Sequence, residues 1–287
     1  GVLERLGLGY ETLRAANPEL VLCSISGYGQ DGPLARRAGH DINFLALSGV
    51  LAAGGEPGGA PALPGVRIAD VAGGALWGAI RVLAALHAGG PAHLDVSMTE
   101  GAMALLLPWL GEMAFGAPPL RRGENLLNGG AACYGDYAAA DGRHLAVGAL
   151  EPKFHQALAR ILALQERAFA PMGDPGQQRR ARDDMARAVA SDTRDGWAGR
   201  LAAEDTCAEP VLELDELADH PQHVHRGVFY ELDDPRRGPV RQLRLPLEQP
   251  PSTTPAPAHG EHTDAVLAEA GLTPDEIDEL RRARAIS

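Results

Sequence analysis

Glu19-Leu20-Val21-Leu22-Cys23-Ser24-Ile25-Ser26 reads as a β-strand: apolar and β-branched residues run for strand length and stop at glycines. A short helix is predicted before it, over residues 10–17, and an apolar stretch at helical spacing follows over 41–53. A Gly/Pro-rich loop at 54–65 leads to residues 71–87, where small and large apolar side chains repeat as in a buried helix. Ala92-His93-Leu94-Asp95-Val96-Ser97 is then a second strand, and another helix is predicted from 99 to about 115. Helix, strand, helix, strand in this order predicts an α/β layer whose two strands pair in parallel.

After Pro118-Pro119 the texture changes. Residues 133–139 and 143–149 flank Asp141-Gly142, which predicts a hairpin with a type I′ turn. Helices are expected over 152–164, 179–190 and 194–203, a short strand over 209–212, and a helix near 215–220. Residues 228–245 predict a second hairpin, and the proline-rich run 250–257 an extended linker. Thr273, Pro274 and Glu276 stand as N-cap, first helical residue and N3 of a capping box, announcing a final helix.

The chain of 287 residues is 45% hydrophobic and 22% charged, a globular composition able to bury a large core. Its net charge of −12 argues against nucleic-acid and anionic-membrane partners. An anionic ligand would need a local arginine cluster, for which Arg36-Arg37, Arg67 and Arg121-Arg122 are the candidates; Lys153 is the only lysine. Three scattered cysteines form neither a disulfide framework nor a metal knuckle, so a reducing cytoplasm is expected. No apolar run is expected to span a membrane, because Arg81 breaks one and Pro108 with Glu112 another, and no secretory signal is seen. The chain opens at Gly1 in what reads as mid-fold, so upstream residues are expected to be missing.

Gly27-Tyr28-Gly29-Gln30-Asp31-Gly32 fits G-x-G-x-x-G after a strand, but Pro33 and a charged loop follow instead of a helix, so a tight turn shaping a pocket wall is the better reading. His220, His223 and His225 lack a shared helical face and any accompanying thiolate, which makes them a solvated turn; no metal site is expected. No G-x-S-x-G elbow and no Walker A loop occurs. Met98, Met103, Met113, Leu105, Leu106 and Trp109 could form an adaptable apolar wall, though their helical spacing favours plain core.

His40, in Gly39-His40-Asp41-Ile42-Asn43, and Asp70, in Ile68-Ala69-Asp70-Val71-Ala72-Gly73-Gly74, each fall at a predicted helix start. Unpaired N–H groups and the helix dipole favour developing negative charge there. Alone, His40 has a structural reading and Asp70 is an N-cap candidate. Together they could take a proton from one face of an acidic carbon and return it to the other, with N–H groups at the Asp70 helix start serving the enolate oxygen. Gly73-Gly74 permits close approach of backbone or ligand, and Gly129-Gly130 before Tyr134 gives a second flexible turn. Glu151 adds an ionisable group where a strand meets Pro152 at a helix start.

These segments resemble the CaiB/BaiF, or class III, coenzyme A transferases, and within them the α-methylacyl-CoA racemase branch. The matching stretches are Ser26–Pro33, Gly39–Asn43, Ile68–Asp70, Leu94–Met98, Asn125–Gly130, Gly148–Phe154 and Gly260–Thr263, which run in order along nearly the whole chain. The resemblance implies an α/β family III fold with a Rossmann-like large domain (residues 1–118, its N-terminal units and CoA-binding arginines absent before Gly1), a smaller α+β domain (119–225) and a segment returning to the large domain (226–287). It also implies an interlocked homodimer with active sites between subunits. Its substrate is an acyl-CoA thioester; coenzyme A enters with the substrate and no cofactor is held tightly. His40, Asp70 and Glu151 match catalytic residues; Asp41, Tyr134, Gly129, Gly130 and Arg67 match the substrate pocket. Asp70 is a proton-transfer group in the racemase branch and the acyl-accepting nucleophile in the transferase branch. Racemisation of 2-methylacyl-CoA is therefore the expected activity, with CoA transfer through an acyl-Asp70 intermediate as the alternative. One departure favours the latter: the racemase pattern has asparagine four residues before the aspartate, where this chain has Val66, in Gly65-Val66-Arg67.

Overall fold

The computed structural model describes residues 1–165, 174–246 and 253–286, and its chain divides into two units, Gly1–Val211 and Leu212–Ser287. Residues 250–252 of the expected linker lie outside the described residues.

In the first unit, helices α1 (Val2–Arg5) and α2 (Tyr10–Ala16) precede β1 (Val21–Ser26). β1 pairs in parallel with β2 (Ala92–Ser97), from Val21 opposite Ala92 to Ser26 opposite Ser97, as the alternation of elements predicts. The apolar stretch between them is two helices instead of one. α3 (Asp41–Ser48) ends at Gly49, which takes the left-handed conformation (φ 86°), and α4 (Val50–Ala53) restarts beyond it. The next helix begins earlier than predicted. Ala69–Ala75 is a π-helical turn running straight into α5 (Leu76–Ala88), so Ile68 is the N-cap and Asp70 lies inside the first turn. After β2 come α6 (Met98–Met103), a 3-10 turn at Ala104–Leu106, and α7 (Leu107–Ala114), in place of one unbroken helix.

Phe44, Leu45, Ala69 and Ala102 form the buried centre of this first core. The glycine face of the π turn and α5 packs inward: a Cβ on Gly73 would lie 2.4 Å from the Met98 carbonyl oxygen, and one on Gly78 2.9 Å from Ile25. The close approach permitted by Gly73-Gly74 is thus to neighbouring elements of the same core. The opposite face leaves Leu76, Ile80, Leu83 and Leu86 exposed. Contrary to the sequence expectation, the 20-residue helix Ala69–Ala88 is long and apolar enough to cross a membrane, by length and composition. Arg81 does not interrupt it, since only it and Asp70 carry a full charge among these twenty residues; its guanidinium folds back onto the Asp95 carbonyl. Met103, Leu105 and Met113 are exposed instead of forming core.

The second core of this unit is an antiparallel sheet in the order β3 (Tyr134–Ala138), β4 (His144–Gly148), β5 (Ala208–Pro210), covered by α8 (Pro152–Ile161), α9 (Pro175–Val189) and α10 (Arg194–Leu201). Leu145, Leu158, Met185 and Val189 are fully buried there; each such side chain contributes roughly 1.5–3 kcal/mol on leaving water. The β3–β4 turn is not type I′. Only Gly142 has positive φ (77°), and the Ala139 N–H bonds the Arg143 carbonyl, so Ala140-Asp141-Gly142 forms a three-residue loop with glycine in the left-handed position. Two buried polar side chains are paired, the Tyr137 hydroxyl donating to the Ala132 carbonyl at 2.5 Å and the Trp197 indole N–H to the Val189 carbonyl at 2.7 Å, whereas His155 Nδ1 on α8 is buried without a partner among the described residues. Burial pushes the Tyr137 phenol up to about 12.

The second unit contains α11 (Pro221–His225), the antiparallel hairpin of β6 (Phe229–Asp234) and β7 (Gly238–Leu243), α12 (Thr263–Glu269) and α13 (Pro274–Arg282). The helix expected near 215–220 instead starts at Pro221, with His220 as N-cap, because proline at the first helical position costs no hydrogen bond. The capping box of Thr273 and Glu276 forms as the sequence predicts.

Candidate active site

The glycine-rich turn after β1 is fastened to α6, since the Gly27 carbonyl accepts from the Thr99 hydroxyl at 2.7 Å and from its N–H at 3.0 Å. Phe44 then fixes the loop's return. Its ring meets Tyr28 edge-on with centroids 5.1 Å apart, and a Cβ on Gly27 or Gly39 would stand 2.2 or 2.8 Å from that ring. Glycine is required at both positions by this packing. The loop delivers His40 to the N-cap of α3 in an extended backbone conformation. Asn43 Oδ1 accepts the His40 N–H at 3.0 Å. The imidazole is exposed and forms the other half of a capping box, facing the Asn43 backbone N–H.

Asp41, one residue on, reaches the second helix start. Its Oδ1 accepts the Asp70 backbone N–H at 2.9 Å. This bond ties the residue following His40 to the π turn that carries Asp70, which is half-buried. π-helical turns are rare and often mark functional positions. The N–H groups expected to serve an enolate are largely spent. Those of Ile68 and Val71 go to the carbonyls of Val66 and Arg67, and that of Asp70 goes to Asp41. Arg67 itself is exposed on the approach to the turn.

Tyr134 and Glu151 belong to the second core, at one end of the β3–β4 hairpin, where Tyr134 stands opposite Gly148. Glu151 is the exposed N-cap of α8, with no side-chain capping bond. Its charge helps raise the Cys207 thiol pKa, after the larger effect of burial. No hydrogen bond or ion pair joins Glu151 or Tyr134 to His40 or Asp70 among the described residues. Gly129-Gly130 is not a flexible turn. The Arg182 guanidinium bonds the Gly129 carbonyl and, at 3.3 Å, that of Ala131, while Gln178 accepts the Ala132 N–H at 2.9 Å.

The arginine candidates separate once placed. Arg122 is taken up by the carbonyls of Ala52 and Gly59. Arg37 instead helps line a hollow of about 410 Å3 on the outer side of α3, with Tyr28, Leu34, Asn43, Ala46 and Leu47. No cluster of three or more His, Cys, Asp or Glu able to hold a metal ion occurs among the described residues. Asn43 was legible as the third helical residue after His40; Gln178 and Arg182, forty residues or more from the turn they grip, carry no such signal.

The family model for CoA-transferase family III matches residues 1–263. The chain belongs to CoA-transferase family III. Alpha-methylacyl-CoA racemase of Homo sapiens is 36% identical over 294 residues, covering 100% of this chain and 76% of that protein. Succinate–glutarate CoA-transferase of Agrobacterium fabrum is 32% identical, covering 93% of this chain and 69% of its own length. Among solved structures, a CaiB/BaiF family protein from Brucella suis superposes with a TM-score of 0.75 at 27% identity, covering 94% of this chain and 72% of that one. The mixed α/β fold and the handling of CoA thioesters are those of family III.

Proposed function

We propose that this family III enzyme interconverts (R)- and (S)-2-methylacyl-CoA thioesters by two-base proton transfer at the α-carbon. The observation that carries this is the Asp41–Asp70 hydrogen bond, which brings the helix start bearing His40 and the turn bearing Asp70 to one corner. A thioester acidifies its α-hydrogen. His40 removes it as a neutral imidazole, and a protonated Asp70 returns a proton on the other face, with roles exchanged in the reverse direction. Arg67, Gly129, Gly130 and Tyr134 are assigned to the substrate pocket, and Glu151 to supporting proton transfer from the second core. The relation to the human racemase supports this choice.

The transferase alternative draws on Val66 before Asp70 and on the relation to a succinate–glutarate CoA-transferase. There the Asp70 carboxylate attacks the thioester carbonyl and CoA thiolate leaves, giving an acyl-aspartyl anhydride. One experiment separates the two. In heavy water, without an acceptor acid, wash-in of deuterium at the α-carbon and inversion of configuration are expected. A hydroxylamine-trappable acyl group on Asp70, with no wash-in, would replace racemisation by transfer.

Asp41 should act through Asp70. Asp41→Ala removes the acceptor of the Asp70 N–H, whereas Asp41→Asn keeps an oxygen in place. A bond to a charged acceptor contributes about 1.5–3 kcal/mol. Asp41→Ala is therefore expected to lower kcat by about tenfold or more, with KM little changed and activity largely recovered in Asp41→Asn. Equal activity of all three proteins would remove Asp41 from this role.

A further inference from the structure

The two cores of the first unit are each well packed, and the closely packed element pairs fall within one core or the other. Residues 119–132 run from the first to the second and are latched to both. On the first side, Arg122 Nε donates to the Ala52 carbonyl at 3.2 Å, and its guanidinium also holds the Gly59 carbonyl. Asn128 Nδ2 donates to the Ala53 carbonyl at 3.2 Å and to that of Arg121 at 2.8 Å, and its Oδ1 accepts the Asn125 N–H at 2.8 Å. The backbone itself is pressed against the loop beyond α4: a Cβ on Gly123 (φ 66°) would lie 2.5 Å from Pro57. On the second side, Arg182 and Gln178 of α9 hold Gly129, Ala131 and Ala132.

We propose that Arg122 and Asn128 are positioning residues, which set the second core, with Tyr134 and Glu151, against the corner formed by His40, Asp41 and Asp70. This rests on the two-base assignment above for its catalytic consequence, though not for its geometry. The latches act on backbone carbonyls of α4 and the loop after it, in the chain segment that directly continues from α3 and His40. Each is a directional bond, so together they fix an angle between the cores that apolar packing alone would leave soft. A misplacement of about 1 Å at a reacting centre can cost on the order of 10²-fold in rate.

The test uses the double variant Arg122→Met with Asn128→Ala. Spin labels on Cys207, which is exposed in the second core, and on a cysteine replacing the exposed Glu100 of α6 report the separation of the cores, with Cys23 changed to serine. The inter-label distance distribution is expected to broaden in the double variant, while amides of Leu45 and Leu145 keep their hydrogen-exchange protection. Turnover in the deuterium assay should fall by up to about 10²-fold with a smaller change in KM, and Arg122→Lys, which retains a donor, should recover part of it. An unchanged distance distribution overturns the proposal, as does a general loss of protection in both cores. If wild-type protein shows neither wash-in nor inversion, the two-base assignment fails, and the distance measurement still decides what the latches do.

Discussion

Replacing His40 by alanine should reduce α-deuterium wash-in into 2-methylacyl-CoA by about 10²–10⁴-fold, the range contributed by a general base in position. The fold should survive, because alanine retains this residue's backbone bonds, its N–H to Asn43 Oδ1 and its carbonyl to the Asn43 N–H at 2.8 Å, and gives up only the side-chain half of the capping box. Circular dichroism is thus expected to match the parent, with the lost cap lowering stability by about 0.5–2 kcal/mol. Asp70→Asn makes the complementary test. It keeps the backbone N–H that bonds Asp41 but has no transferable proton. With His40 still present, the proton can be removed and returned on one face only. One enantiomer should then continue to exchange with solvent while inversion stops. Wild-type exchange in the His40→Ala protein would move the base elsewhere; inversion by the Asp70→Asn protein would remove the second base.

The other large effect is on stability, at the crossing of the π turn and α6. A Cβ added to Gly101 would stand 1.9 Å from the Gly73 carbonyl oxygen, and one on Gly73 would stand 2.4 Å from that of Met98 and 2.8 Å from the Ala102 nitrogen. These partners are backbone atoms, so no rotamer change relieves the clash and the helices must part. Overpacking alone costs roughly 1–3 kcal/mol and more when backbone is displaced. A loss above about 3 kcal/mol is a large share of the roughly 5–15 kcal/mol that holds a domain folded. Gly101→Ala is expected to yield mostly unfolded or insoluble protein, and Gly73→Ala a steep drop in urea midpoint with displacement of Asp70. Gly111, within α7, is the control: nothing lies within 4 Å of its added Cβ, and its φ is not positive. Gly111→Ala should stabilise by about 0.4–1 kcal/mol through the unfolded chain. Equal melting of the Gly101→Ala and Gly111→Ala proteins would refute the crossing as the tight point.

The parallel pair, the Asp141-Gly142 hairpin and the Thr273 cap were legible because their signals are local: strand-length apolar runs, a turn dipeptide and a capping box at fixed spacing. His40 and Asp70 could be singled out for the same reason, each standing beside glycines at the head of an apolar helix. Errors fell where a few tenths of a kcal/mol of propensity met packing. The break at Gly49, the π turn before α5 and the 3-10 turn between α6 and α7 follow from how neighbouring helices fit, which no eleven-residue window contains.

By itself, then, the sequence determined the order of elements, the candidate residues and the family resemblance, since each is written within one stretch of chain. Only the tertiary structure decided which residues meet. Asp41 reaches Asp70 across twenty-nine residues, Arg122 spends its charge on backbone carbonyls instead of an anion, and Arg182 grips a turn fifty-three residues away. Long-range hydrogen bonds leave no periodicity behind; they form where packed elements bring a donor to an acceptor, and that placement is a property of the whole fold.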